Sequence, residues 1–224
     1  MFKNVVFLAI MTVLVAAVSA NADPIVARIS GPFTLNSFNT SSLLGALATP
    51  WTINETFTGV GSGVIALRDD DDDSLGPGNP TNSGHSTGRW ILKTVTNTSG
   101  VAWTSFELEL QEILGTPSDE SDGLSFAQGA GLVFTSNIFP TVTRQDVTRE
   151  YLNFSGGIVP NGGVVTFLIA VTDNSPQGIL YFQETPNRVD LPVPEPSSLL
   201  LLAAGLVGAY TRLRNRQQRL LPLR

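Results

Sequence analysis

The sequence predicts an all-β body, an antiparallel sandwich of the jelly-roll or immunoglobulin-like kind, set between an N-terminal signal peptide and a single C-terminal transmembrane helix. Three observations predict it. Between Asp23 and Asp190 short apolar or alternating runs are separated by Gly, Pro, Asn and Asp. Those runs number roughly eight to ten without the strand–helix alternation of a parallel sheet. Both ends of the chain are instead continuous apolar runs beside basic residues.

The elements follow in chain order. Lys3, the apolar run Val5 to Val18 and the small residues Ser19-Ala20-Asn21-Ala22 have the order of a secretory signal peptide over residues 1–22. Cleavage after Ala22 leaves Asp23 first, and cleavage after Ala20 is the rival. An uncleaved anchor is the alternative reading, against which the run falls short of the ~20 residues that span a bilayer. The partners implied are the Sec translocon and signal peptidase. The body, 23–190, begins with strands over Pro24 to Ile29, Thr52 to Phe57 and Gly63 to Leu67, with Leu43 to Leu47 as the one helical turn expected. Residues 68–89, rich in Asp, Gly, Pro, Ser and Asn, read as a flexible acidic loop. Strands follow at Trp90 to Thr96, Phe106 to Leu110, Leu132 to Thr135, Tyr151 to Phe154, Val165 to Val171 and Ile179 to Gln183. Phe106, Leu108 and Leu110 alternate with Glu107 and Glu109, which predicts one face in the core and the other in solvent. The turn Val159-Pro160-Asn161-Gly162-Gly163 precedes the strand at 165.

All 19 acids lie between Asp23 and Glu195, a stretch that holds seven of the 13 bases, so the body carries a net charge of −12. That balance argues against nucleic acid as a partner, since phosphates need cations. Zero cysteines exclude disulfides, thiolate metal sites and a cysteine nucleophile, and one histidine excludes multi-histidine zinc sites.

Asp69, Asp70, Asp71, Asp72 and Asp73 repel one another and must be hydrated or neutralised by a hard cation, for which calcium is the fitting choice. As an EF-hand the run fails, with Ser74 at the glycine position and Pro80 at the glutamate position. Asp119-Glu120-Ser121-Asp122-Gly123 fails in the same way, with Gly129 at the glutamate position. A solvated surface loop is the favoured reading of the aspartates. His85, the one available base, lies within the loop where catalytic geometry is not held, and no catalytic set is legible, so the body is read as non-enzymatic. Paired carboxylates of the glycosidase kind are not readable from sequence. Among aromatic residues that would stack on sugars, Trp51, after Pro50 in a polar stretch, is the one expected to be exposed, while Trp90 and Trp103 lie on strands.

At the C-terminal end, Pro194-Glu195-Pro196 hold the chain extended, Ser197 and Ser198 cap a helix over Leu199 to Tyr210, and Arg212, Arg214 and Arg216 follow as a stop-transfer cluster. Carrying each arginine across the bilayer centre would cost about 2.5–3.5 kcal/mol, which places the body outside and the tail inside. Pro196 to Thr211 spans roughly 24 Å against a hydrocarbon core near 30 Å, a gap that snorkelling of Arg212 and Arg214 covers. A helix lying in the interface, or a packed terminal helix, is the alternative. Residues 217–224 form a basic tail.

This tripartite tail, at 193–216 of a chain with a signal peptide, resembles the PEP-CTERM sorting signal of Gram-negative bacteria. The resemblance implies handling by exosortase near Pro194-Glu195-Pro196, a transient single-pass inner-membrane anchor, and a destination at the envelope surface or in the extracellular matrix. It departs from the family in continuing past Arg216 through Gln217 to Arg224. Asn97 to Leu110, Asp122 to Phe126 and Phe154 to Gly163 also resemble the β-sandwich body common among PEP-CTERM proteins, which implies a fold and no activity. The expected role is therefore structural or adhesive, with exopolysaccharide or biofilm as the partner. The alternative is a calcium-assisted carbohydrate-binding module.

Overall fold

The computed structural model describes residues 25–41, 43–68, 75–119, 121–127, 131–146, 148–174 and 178–187. Twelve strands are formed there: β1 Ile25–Ser30, β2 Phe33–Asn39, β3 Trp51–Phe57, β4 Gly63–Arg68, β5 Thr87–Asn97, β6 Trp103–Gln111, β7 Leu124–Ser125, β8 Thr135–Ser136, β9 Thr141–Asp146, β10 Arg149–Val159, β11 Val164–Asp173 and β12 Ile179–Pro186. They make two sheets, one in the order β1-β4-β12-β6-β10-β9, the other β2-β3-β5-β11-β7 with β8 also on β11. The chain divides into two units at Arg188, and the second, Val189–Arg224, lies outside the described residues, as do the signal peptide and Asp69 to Asp73.

The alternating sequence builds one core between the sheets. Trp51, Ile53 and Phe57 of β3, Ile91 and Val95 of β5, and Val165, Phe167 and Ile169 of β11 face Phe106, Leu108 and Leu110 of β6, Leu152 and Phe154 of β10, and Leu180 and Phe182 of β12. Aromatic rings carry the join. Phe106 lies 5.7 Å from Phe57 and 4.9 Å from Phe167, and Phe154 lies 4.7 Å from Phe167, spacings that suit edge and tilted ring contacts.

Four expectations are corrected. The sandwich is mixed, because β3 and β5 run parallel, from Trp51 opposite Ile91 to Phe57 opposite Asn97. The chain leaves β3 for β4 in the other sheet and returns, and two reversals bring it back in its first direction. Residues 43–47 form turns rather than a helix: Leu44 N–H donates to Ser41 O, and a bridge pairs Ala46 with Thr49. Glu107 and Glu109 do not face solvent but are 2% and 3% exposed, because β6 is an inner strand whose outward face is covered by polar side chains. β2 and β9 had no expected counterpart: Asn36, Ser37 and Asn39 break the strand composition of the one, and the sequence of the other, Thr141–Asp146, carries Arg144, Gln145 and Asp146.

Strand β10 bends where its register with β6 shifts between Ser155 and Val159. Gly156 has φ +86°, and a Cβ on Gly157 would stand 2.1 Å from Ile138 O, so the glycine pair lets the strand pass the 136–140 segment.

Candidate functional site

Where the sequence placed a sugar platform, the fold places a core anchor. Trp51 is fully buried: its Nε1–H donates to Ser41 O at 3.0 Å and Arg89 lies over its ring at 5.3 Å. The polar flanks that suggested exposure belong to the turn it packs beneath. Residues 75–89 of the expected flexible loop are likewise tied down. Arg89 donates to Gly78 O and Pro77 O, both at 2.6 Å, and Asn79 Nδ2 donates to Ser83 Oγ at 2.9 Å and His85 O at 2.8 Å. Leu75 is buried in the core. His85 is held by this loop through its backbone, and its Nδ1 has no hydrogen-bond partner among the described residues. In the second acidic stretch, Asp119 Oδ1 accepts from Ser121 N and Oγ, and Asp122 Oδ1 accepts from Leu124 N. The Ser121 hydroxyl and amide hold the Asp119 carboxyl below its ordinary range. Among the described residues no group of three metal-ligating side chains is assembled.

Two charged clusters arise that the sequence did not single out. The first is inside the core. Lys93 Nζ lies 2.6 Å from Glu55 Oε2 and 2.5 Å from Glu184 Oε1, and the three side chains are at most 2% exposed. Glu55 on β3 and Lys93 on β5 are neighbours in one sheet, and Glu184 reaches them from β12 in the other. Each sits in the inward phase of its strand: Glu55 between Ile53 and Phe57, Lys93 between Ile91 and Val95, Glu184 between Phe182 and Pro186. Lys93 is also the one lysine after Lys3 in the whole chain. A charged residue in an apolar phase was the available signal.

Burial acts on the cluster in opposing ways. It disfavours the Lys93 ammonium, but the charges of Glu184 and Glu55 outweigh it and hold the lysine above its ordinary value. Burial pushes the Glu184 carboxyl well above the ordinary range, the Glu55 charge adds to that, and Lys93 opposes it. The arrangement that leaves the core without net charge is a charged Lys93, one carboxylate and one carboxylic acid, and Glu184 is the carboxyl that burial pushes toward the acid form.

The second cluster covers the outer face of β6. Arg149 of β10 donates Nε–H to Glu109 Oε2 at 2.7 Å and Nη2–H to Glu107 Oε1 at 2.7 Å, and its guanidinium stacks 4.6 Å above Tyr151. Gln111 Nε2 donates to Glu109 Oε1 and its Oε1 accepts from Gly115 N, which closes the polar layer. Burial would lower the arginine, and Glu107 and Glu109 more than offset it, so Arg149 is held above its ordinary value.

No helix among the described residues is long and apolar enough to cross a membrane. Pro194, Glu195, Pro196, Arg212, Arg214 and Arg216 lie outside those residues. No curated protein and no solved structure matches the chain. A family model does match, that of the PEP-CTERM protein-sorting motif, over residues 192–216. Those residues contain the Pro-Glu-Pro strip, the apolar run and the three arginines, and the motif implies export, a C-terminal membrane-anchored sorting signal and exosortase as processing partner. The chain therefore carries a PEP-CTERM protein-sorting motif at residues 192–216, preceded in sequence by a β-sandwich body.

Proposed function

We propose that the mature protein is a non-catalytic structural or adhesive component of the extracellular matrix of a Gram-negative bacterium, released from a transient membrane anchor when exosortase acts at Pro194-Glu195-Pro196. The observation that carries the reading is the sorting motif at 192–216. The body supports it in its use of charge. Lys93, Glu55, Glu184, Arg149, Glu107 and Glu109 are spent on one another inside or against the sheets, which suits a domain built to persist outside the cell more than one built around a reactive cleft. The calcium-assisted sugar-binding alternative loses its leading aromatic residue, because Trp51 is buried.

The test is mass spectrometry of the chain recovered from native cells and their matrix, with and without exosortase. The reading expects a matrix form that begins at Asn21 or Asp23 and ends near Pro194-Glu195-Pro196, and that disappears when exosortase is deleted. A chain ending at Arg224 in the membrane fraction of both strains would refute it.

A further inference from the structure

The Lys93 cluster has the composition of a condensation site. An amine and two carboxyl groups meet in a space closed to water, with Nζ at 2.5 Å from one oxygen of Glu184 and 2.6 Å from one oxygen of Glu55. With Nζ in contact with an oxygen of each group, either carboxyl carbon lies one C–O bond beyond that oxygen, in the neighbourhood that a near-attack arrangement of roughly 3–3.5 Å needs. The two carboxyl groups differ in reactivity. A carboxylate resists a nucleophile, whereas a neutral carboxylic acid can lose its hydroxyl as water, and Glu184 is the group that burial pushes toward its neutral form.

We propose that Lys93 and Glu184 join through a side-chain amide that links β5 to β12 across the core, with Glu55 as the base. The Glu55 carboxylate takes one proton from the Lys93 ammonium, and the freed electron pair on Nζ attacks Glu184 Cδ to form the N–C bond. A second proton from the nitrogen and the hydroxyl of the Glu184 acid leave together as one water, and the Cδ–O bond to that hydroxyl breaks. The cluster begins as ammonium, carboxylate and carboxylic acid, and it ends as amide, protonated Glu55 and water. Protons and charge balance, and no outside oxidant, reductant or cofactor is consumed. The dry core favours the product on two counts: water leaves for bulk solvent, and a buried ion pair, costly to desolvate, is replaced by neutral groups. The link would clamp one sheet covalently to the other, in a protein with no cysteine to make a disulfide.

Trypsin reads the outcome directly on the full chain, because Lys93 closes the peptide 90–93, Glu184 lies in 150–188 and Glu55 lies in 29–68. An amide at Lys93 blocks cleavage there, so the expected product is residues 90–144 joined to 150–188, lighter than the two together by one water, with tandem spectra placing the bond at Lys93 and Glu184. E55Q, folded by circular dichroism, should link about 100-fold more slowly, as expected for loss of a positioned base, and K93R should not link at all. Recovery of free peptide 90–93 in full yield from folded parent protein overturns the proposal whatever the variants do. A bond to 29–68 overturns the assignment of Glu184, and parental linkage in E55Q overturns the assignment of Glu55.

Discussion

Replacing Arg149 with methionine tests whether the outer face of β6 is held by charge pairing. Methionine keeps much of the aliphatic volume and removes the guanidinium whose contacts to Glu107 and Glu109 are 2.6–2.7 Å long. The two carboxylates are 2% and 4% exposed at the side chain, and Arg149 is 22% exposed. Breaking a fully buried pair from one side costs about 3–5 kcal/mol. Partial hydration of the arginine reduces that here, so a loss of about 2–4 kcal/mol is expected, including the stacking on Tyr151. For a body of this size that is about 5–15 °C in Tm, measured by calorimetry at neutral pH. The pH dependence follows from the direction of the shift. Arg149 is raised above its ordinary value, so its contribution is complete below that value and is lost only as pH passes the raised one. The gap between parent and R149M should therefore stay constant from neutral into mildly alkaline solution. A drop in Tm under about 2 °C would refute the reasoning, since it would mean that the two carboxylates find water as readily as they find Arg149.

Other substitutions read other parts of the fold. Trp51→Ala should cost about 3–5 kcal/mol in denaturant melts and leave polysaccharide association per folded molecule unchanged; selective loss of that association would restore the sugar-platform role. Asn97→Ala should cost about 1–3 kcal/mol, because the buried amide donates to Val101 O, Val159 O and Pro160 O; a melt identical to the parent would show those carbonyls to be hydrated. Gly157→Ala should destabilise by at least about 1–3 kcal/mol, since its Cβ would stand 2.1 Å from Ile138 O, and an unshifted Tm would mean that the 136–140 segment yields freely. Glu184, raised well above the ordinary carboxyl range, contributes stability that is complete below that range and lost as pH rises through the raised value. E184Q removes that group, so the loss of Tm with rising pH seen in an unlinked parent should be absent from E184Q; an equal loss in both would show that Glu184 does not carry it.

Much of the sandwich was legible because a period of two marks which residues face inward. Phe106, Leu108 and Leu110, and Val165, Phe167, Ile169 and Val171, all lie in the core as their alternation requires. The turn at Pro160 to Gly163 is formed by Gly163 N–H donating to Pro160 O, with Gly162 at φ +84°. Composition misled where a polar residue is satisfied by the fold rather than by water. Asn79, Ser83 and Ser86 suggested a free loop, yet Asn79 ties the loop together and Ser86 bonds Asn174 across it. Such long-range partners leave no local pattern.

The charged clusters show the limit more sharply, because alternation gives a phase but not a partner. Glu107 and Glu109 sit in the phase opposite Phe106 and Leu108, and a half-buried antiparallel sheet would expose that phase to solvent. Only the sheet order, which puts Arg149 of β10 beside β6, turns it into a buried face. Lys93, Glu55 and Glu184 are the inverse case, three ionisable residues in phases where only apolar residues are expected. Any one of them alone would be a severe fault in the core, since an unmatched buried charge costs several kcal/mol. Together, with one carboxyl protonated, they carry no net charge, and bringing all three into contact requires that β12 lie opposite the β3–β5 pair with Glu184 level with Lys93. The cluster therefore selects one alignment of the two sheets from the many that hydrophobic contact would tolerate. A slip of one residue along β12 would turn Glu184 out of the core and remove its 2.5 Å contact with Lys93.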